Sequence, residues 1–199
     1  DVLIHSNMTN INPKLTQWLG EMKRWSIVAS IDGVGDRNRY IRYPSDWNTI
    51  VKNINFYNEV RKTHKNGSVC FGPAIQLLNI DQLVDICMFF EDISPDSPSI
   101  GFYSHVKYPI ICDYDIAPTE YKLKVADQLE TKLKEIKNER YVQDISTHVN
   151  GLRNESFTEE QKKTYQKMFI RYNDTQDKLR SNTKTWRELL PGLEQAIDR

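Results

Sequence analysis

Apolar and polar positions alternate between two periods along the first half of the chain. Val2–His5 is a short apolar run that predicts a strand. Asn12-Pro13 is a helix start, because asparagine caps free N–H groups and proline tolerates the first helical position. Leu15, Trp18, Leu19 and Met22 then recur at helical spacing. Ser26–Ile31, rich in β-branched residues, predicts a second strand, followed by a polar loop holding Asp36, Arg37, Arg39 and Arg42. Ser45 reads as the cap of a helix with Trp47, Ile50, Val51, Ile54, Tyr57 and Val60 on one stripe. Asn66-Gly67 marks a turn before a third strand, Val69–Leu78, in which Gly72-Pro73 predicts a break. Asn79 or Asp81 opens the next helix, with Leu83, Val84, Cys87 and Phe90 inward. Strand–helix alternation with short turns predicts parallel strands joined by right-handed crossovers. Three such units make half of a six-unit (β/α) barrel.

The second half has a different pattern. The proline- and serine-rich stretch Ser94–Ser99 is the expected boundary. It separates a half-barrel over 1–93 from a connector over 94–118, which adds a strand at Ile100–His105 and an extended stretch at Tyr108–Asp115. Residues 119–199 form a helical extension. Its first helix begins at Thr119 or Glu120 and turns Leu123, Val125, Leu129, Leu133 and Ile136 to one face. Glu139–Asn154 is polar and weakly patterned. Ser156–Glu159 and Thr158–Gln161 are alternative capping boxes for a helix with Tyr165, Met168, Phe169, Tyr172 and Leu179 on one stripe. Trp186, Leu189, Leu190, Leu193 and Ile197 finish the chain, interrupted by Pro191-Gly192. The expected class is therefore α/β: a partial TIM-like barrel of parallel strands with a helical C-terminal extension.

Composition narrows the function. The 199 residues hold 27 basic and 27 acidic side chains, so no basic excess marks a nucleic-acid backbone binder. No apolar run approaches the roughly 18 residues needed to cross a bilayer, and no leader is recognisable, so no membrane partner is expected. Cys70, Cys87 and Cys112 are odd in number and widely spaced, which fits a reducing cytoplasm rather than a disulfide framework. The chain opens within a strand at Asp1-Val2-Leu3-Ile4, the expected signature of a fragment of a longer protein.

Chemistry gathers just past the second strand, where α/β folds place their ligands. Ser30, Asp32 and Arg42 there offer a hydroxyl, a carboxylate and a guanidinium. Gly33-Val34-Gly35 begins a dinucleotide pattern, but the third glycine position is Asn38. His5, His64, His105 and His148 lack metal-ligand spacing, and Asp113 and Asp115 read as solvated carboxylates, so no metal site is expected.

Ser30-Ile31-Asp32-Gly33, Tyr40-Ile41-Arg42, Trp47 and Val51-Lys52-Asn53-Ile54 resemble the fifth strand, loop and helix of radical S-adenosylmethionine (radical SAM) enzymes. They are most similar to the branch with SPASM or twitch extensions. Upstream, Leu3–Thr9 resembles that family's fourth strand, which usually ends in Thr-Asn-Gly-Thr, with Met8 at the glycine position. The two motifs cover the first third of the chain. The resemblance implies that Ser30 and Asp32 meet the ribose hydroxyls of S-adenosylmethionine, Arg42 the methionyl carboxylate, and Asn7 the methionyl group. It also implies a 4Fe–4S cluster, a 5′-deoxyadenosyl radical and a peptide or protein substrate. The cluster's usual C-x-x-x-C-x-x-C is absent, since no two cysteines are closer than 17 positions. This chain alone is then expected to be inactive. The alternative is a non-enzymatic binding or scaffold domain that retains an ancestral half-barrel.

Overall fold

A computed structural model describes residues 1–96 and 104–198. Three parallel strands, β1 (Val2–Ser6), β2 (Trp25–Ala29) and β3 (Gly67–Phe71), form a sheet in the order β1-β2-β3. Ile4, Ile27 and Val69 stand in register across it. β2 is central, and four of its five residues are buried; β1 is the exposed edge, with Leu3 59% accessible. Trp25 packs over Gly67 so closely that a Cβ there would lie 2.0 Å from the indole, so only glycine fits.

Helices α1 (Pro13–Glu21) and α3 (Trp47–His64) carry the two crossovers. They lie side by side: a Cβ on Gly20 would meet the His64 ring at 2.8 Å. Both crossovers therefore run over the same face of the sheet. Asn12 caps α1 as expected, accepting from the N–H groups of Lys14 and Leu15. The cap of α3 is Asp46, not Ser45: its Oδ2 accepts from Thr49 N at 2.8 Å. Between β2 and α3 the expected polar loop contains a short helix, α2 (Asp36–Ile41). Its signal is masked because its inward residues, Arg37, Asn38 and Tyr40, include two polar ones.

The third predicted strand ends at Phe71, and two residues, β4 (Ala74–Ile75), resume after the Gly72-Pro73 break. β4 pairs in parallel with β5 (Ser104–His105), the described part of the strand expected at Ile100–His105. The remainder of that strand, and the second half of the Ser94–Ser99 connector, lie outside the described residues. A 3-10 turn, Ile80–Gln82, leads into α4 (Leu83–Ile93), which buries Leu83, Val84, Cys87 and Phe90 as its spacing predicts. Tyr108–Asp115 is not extended but folds into 3-10 turns at Ile110–Cys112 and Tyr114–Ile116.

Beyond it come α5 (Thr119–Lys132), α6 (Glu139–Leu152), α7 (Glu159–Leu179), α8 (Trp186–Leu189) and α9 (Pro191–Ile197). α5 buries Tyr121, Lys122, Val125, Ala126 and Leu129, whereas Leu123 is exposed. The stretch Glu139–Asn154 is largely α6, with Tyr141, Ile145, His148, Val149 and Leu152 buried at helical spacing. α7 starts with the Thr158–Gln161 capping box. It turns a different stripe inward than its aromatics predict: Lys162, Gln166, Phe169 and Asn173 are buried, while Met168, Tyr172 and Leu179 are exposed. Partners make the polar stripe tolerable. Lys162 Nζ meets Glu155, Glu159 and Thr119, and Gln166 Nε2 donates to Ile116 O at 2.8 Å. One continuous core runs from Met8 to Leu193, crossing the expected domain boundary. The architecture is mixed α/β, a small parallel sheet carrying a large helical complement. No helix among the described residues is long and apolar enough to cross a membrane.

Candidate functional site

Asn7 follows β1 and Ser30 follows β2, so both sit at the carboxyl end of the sheet, where the Ser30 N–H donates to Ser6 O at 2.8 Å. Beside them opens a cavity of about 430 Å3 whose lining includes Asn7, Thr9, Asp32, Arg42, Ser45 and Gln76. Three of the four residues singled out in the sequence thus line one cavity. The fourth, Ser30, is half-buried and lies outside that lining.

Asp32 is buried and held from several directions. Its Oδ1 accepts from Ala74 N at 2.8 Å, its N–H donates to Asn38 Oδ1 at 3.0 Å, and its carbonyl accepts from Asn79 Nδ2 at 2.9 Å. Asn79, fully buried, also donates to Ala74 O and accepts from Gln76 N, which locks β4 against the β2 loop. Arg42 approaches from the end of α2, with Nε 2.8 Å from Asp32 Oδ2. The two meet as charges without an aligned hydrogen bond, so Arg42 Nε is a buried donor with no hydrogen-bond partner. Ser45 Oγ, on the same cavity wall, is likewise buried and unpartnered. An unpaired Ser45 hydroxyl is costly unless something supplies a partner, whereas Arg42 already has the Asp32 carboxylate as its counter-charge.

The Asn7 loop is built by its own side chains. Asn7 Oδ1 accepts from Thr9 N and Thr9 Oγ1, and Ser6 Oγ accepts from Met8 N. Met8 has φ +57°, the left-handed region that favours glycine, while its side chain is wholly buried and its carbonyl accepts from Asn53 Nδ2. Met8 thus keeps a glycine-like backbone. Gly35, at φ +61°, starts α2.

Asn38, Ser45, Gln76 and Asn79 escape a reading of the sequence as site residues. Asn79 signals only a helix start there, and the contacts that give these side chains a role span up to 47 positions. A larger groove of about 780 Å3 lies between α4 and α5. Five of its nine lining residues are charged, including the Lys132–Asp85 pair at 3.3 Å, and Gln82 on its wall accepts from Val34 N in the loop after β2.

The groups in the smaller cavity can bind a ligand that carries both hydroxyls and a carboxylate. Asp32 accepts, while Arg42 and Ser45 donate. The volume is within the usual range for small-molecule sites. The same residues do not fit a 4Fe–4S cluster. Cys70 and Cys87 are buried and Cys112 half-buried, and no three thiols converge among the described residues. Burial also pushes the Cys87 and Cys112 thiols up, away from the thiolate a cluster needs. No protein-family model, no curated protein and no solved structure matches the chain.

Proposed function

We propose that this chain is the nucleotide-binding wall of a radical SAM enzyme and forms the later half of its (β/α)6 core. The observation that carries the reading is the cavity at the strands' carboxyl ends, where Asp32 and Arg42 face each other beside Asn7. The consecutive strand order, with both crossovers over one face, supports a barrel segment, since a doubly wound sheet reverses its order at the switch point.

In this reading Asp32 accepts hydrogen bonds from the two ribose hydroxyls, one carboxylate spanning neighbouring donors. Arg42 and Ser45 donate to the methionyl carboxylate, so binding trades the Arg42–Asp32 contact for a charge-assisted one to the ligand. Asn7 closes the wall beside the methionyl group. Ser30 contributes its backbone bond between the ends of β1 and β2. In a complete enzyme a cluster would supply the electron for cleavage of S-adenosylmethionine; the separated thiols Cys70, Cys87 and Cys112 would not hold it. The substrate class is a peptide or protein, and the compartment a reducing cytoplasm.

A second reading rests on a specific observation: Ala74 N and Arg42 already engage both Asp32 oxygens. Asp32 and Arg42 would then be structural, in a binding or scaffold domain without chemistry.

One experiment separates the two. A protein that includes this chain, reconstituted anaerobically with iron and sulfide and given a strong reductant, should convert S-adenosylmethionine to 5′-deoxyadenosine and methionine. Asp32→Ala should weaken nucleotide binding by about 1.5–3 kcal/mol, the worth of a hydrogen bond to a charged group. Arg42→Lys should weaken it too, because an ammonium cannot reproduce the guanidinium fork. Neither should change iron content. A protein that takes up no cluster and makes no 5′-deoxyadenosine supports the scaffold reading.

A further inference from the structure

A second group of polar side chains lies away from the cavity, where β5 meets the turns before α5. We propose that His105, Asp113 and Asp115 bind a divalent first-row metal ion, with zinc the best match. Each offers a ligand atom, and these atoms all lie within 4.8 Å of one another. His105 Nε2 is 2.8 Å from Asp113 Oδ1. Two ligands about 2.0–2.2 Å from a shared ion stand roughly 3–3.5 Å apart at tetrahedral or octahedral angles. The pair therefore needs to open by only a few tenths of an ångström.

Burial and charge point the same way. Asp113 and Asp115 are 2% and 5% accessible. Asp115 Oδ2 accepts from Ser156 Oγ at 2.7 Å, but its Oδ1 is buried and accepts no hydrogen bond. The nearest cation, Lys122 Nζ, stays 3.9 Å from that oxygen. Lys122 is drawn off by Asn154 O at 2.5 Å and Glu155 Oε2 at 3.3 Å. Glu155 in turn pairs with Lys162. Asp115 thus has only a distant ammonium and Asp113 only the His105 imidazole, and a cation among the three would complete the neutralisation.

The surroundings already orient the three ligands, as an outer shell does in metal sites. Asp115 N donates to Asp113 Oδ1 at 2.9 Å, and Tyr114 stacks on the His105 ring at 3.8 Å. An imidazole among the donors favours zinc, copper, iron or nickel over calcium, magnesium or manganese, which prefer oxygen ligands. Three protein ligands leave at least one position for water or a substrate group.

The test titrates the chelator-stripped chain with Zn2+ and with Co2+. One ion should bind per chain, and the cobalt form should show weak visible d–d absorption without a thiolate charge-transfer band. His105→Gln and Asp115→Asn should each weaken zinc binding at least tenfold, with far-ultraviolet circular dichroism unchanged, while Cys112→Ser should bind like the parent. No uptake at millimolar zinc, a thiolate band, or undiminished binding by His105→Gln would overturn the assignment. Should the variants fail to fold, the wild-type chain still decides. Co2+ must shift the imidazole protons of the ring stacked on Tyr114, and an unshifted ring contradicts the site.

Discussion

Asp32 carries more contacts than any other residue of the cavity, and each can be tested. Asp32→Asn keeps an acceptor for Ala74 N but removes the charge facing Arg42. It should lower stability by about 1.5–3 kcal/mol in urea unfolding, and a change near zero would show that the pair is idle. Gly67→Ala forces a Cβ to 2.0 Å from the Trp25 indole. Overpacking of this kind costs roughly 1–3 kcal/mol, so the denaturation midpoint should fall clearly; an unchanged midpoint would mean that the indole relocates freely. Asp32 and Arg42 were legible in the sequence because a β-branched run ending in a polar loop marks a strand's carboxyl end. Asn38 and Asn79 were not, since each matters through a bond to Asp32 that depends on the completed fold. The same holds for His105, Asp113 and Asp115: a metal spacing is recognised when ligands share one element, and here a two-residue strand and a 3-10 turn supply them.

Elements were legible where burial is apolar and obscure where it is polar. α1, α3 and α4 announce themselves by apolar stripes and caps. α7 misleads because three of its four buried residues are polar and its neighbours satisfy them. In α6 the apolar stripe is present, but polar residues on every other face dilute it. The start of α3 gives a test at this scale. Asp46 caps it, and the Thr49 backbone N–H holds its carboxyl below the ordinary 3.8. A carboxyl lowered in the folded state contributes stability above its unfolded value, and that contribution is lost as pH falls through the folded value. Asp46→Ala should therefore lower stability at neutral pH and flatten its decline between about pH 5 and pH 2. Ser45→Ala should not lower stability, because Ser45 Oγ is buried and makes no hydrogen bond. Urea midpoints across that pH range decide it, and a loss from Ser45→Ala equal to that from Asp46→Ala would return the cap to Ser45.

Over the whole molecule, Arg37 joins the two halves of the chain. Its side chain, 5% exposed, binds Asp81 Oδ1 at 2.7 Å, Leu78 O, and Leu189 O at 2.6 Å, tying α2 to the start of α4 and the end of α8. Arg37→Met should cost about 3–5 kcal/mol, because it strands a partly buried carboxylate and two carbonyls. Because the core is continuous, urea should unfold the chain in one transition seen alike by tryptophan fluorescence and circular dichroism. Two separated transitions would support the boundary expected near Ser94–Ser99. The strand–helix order of the first half was legible because local periodicity determines it; the packing of the helical half was not, because Arg37 and its partners meet over as many as 152 positions. The central claim is that the cavity at the strand ends takes S-adenosylmethionine. Titrating that nucleotide into the isotope-labelled chain and following backbone amide resonances tests it most directly, since even millimolar binding is visible. The account predicts saturable shifts centred on Asn7, Asp32, Arg42 and Gln76, with a higher saturating concentration in Arg42→Lys. Unmoved resonances at millimolar nucleotide, or shifts centred elsewhere, would contradict it.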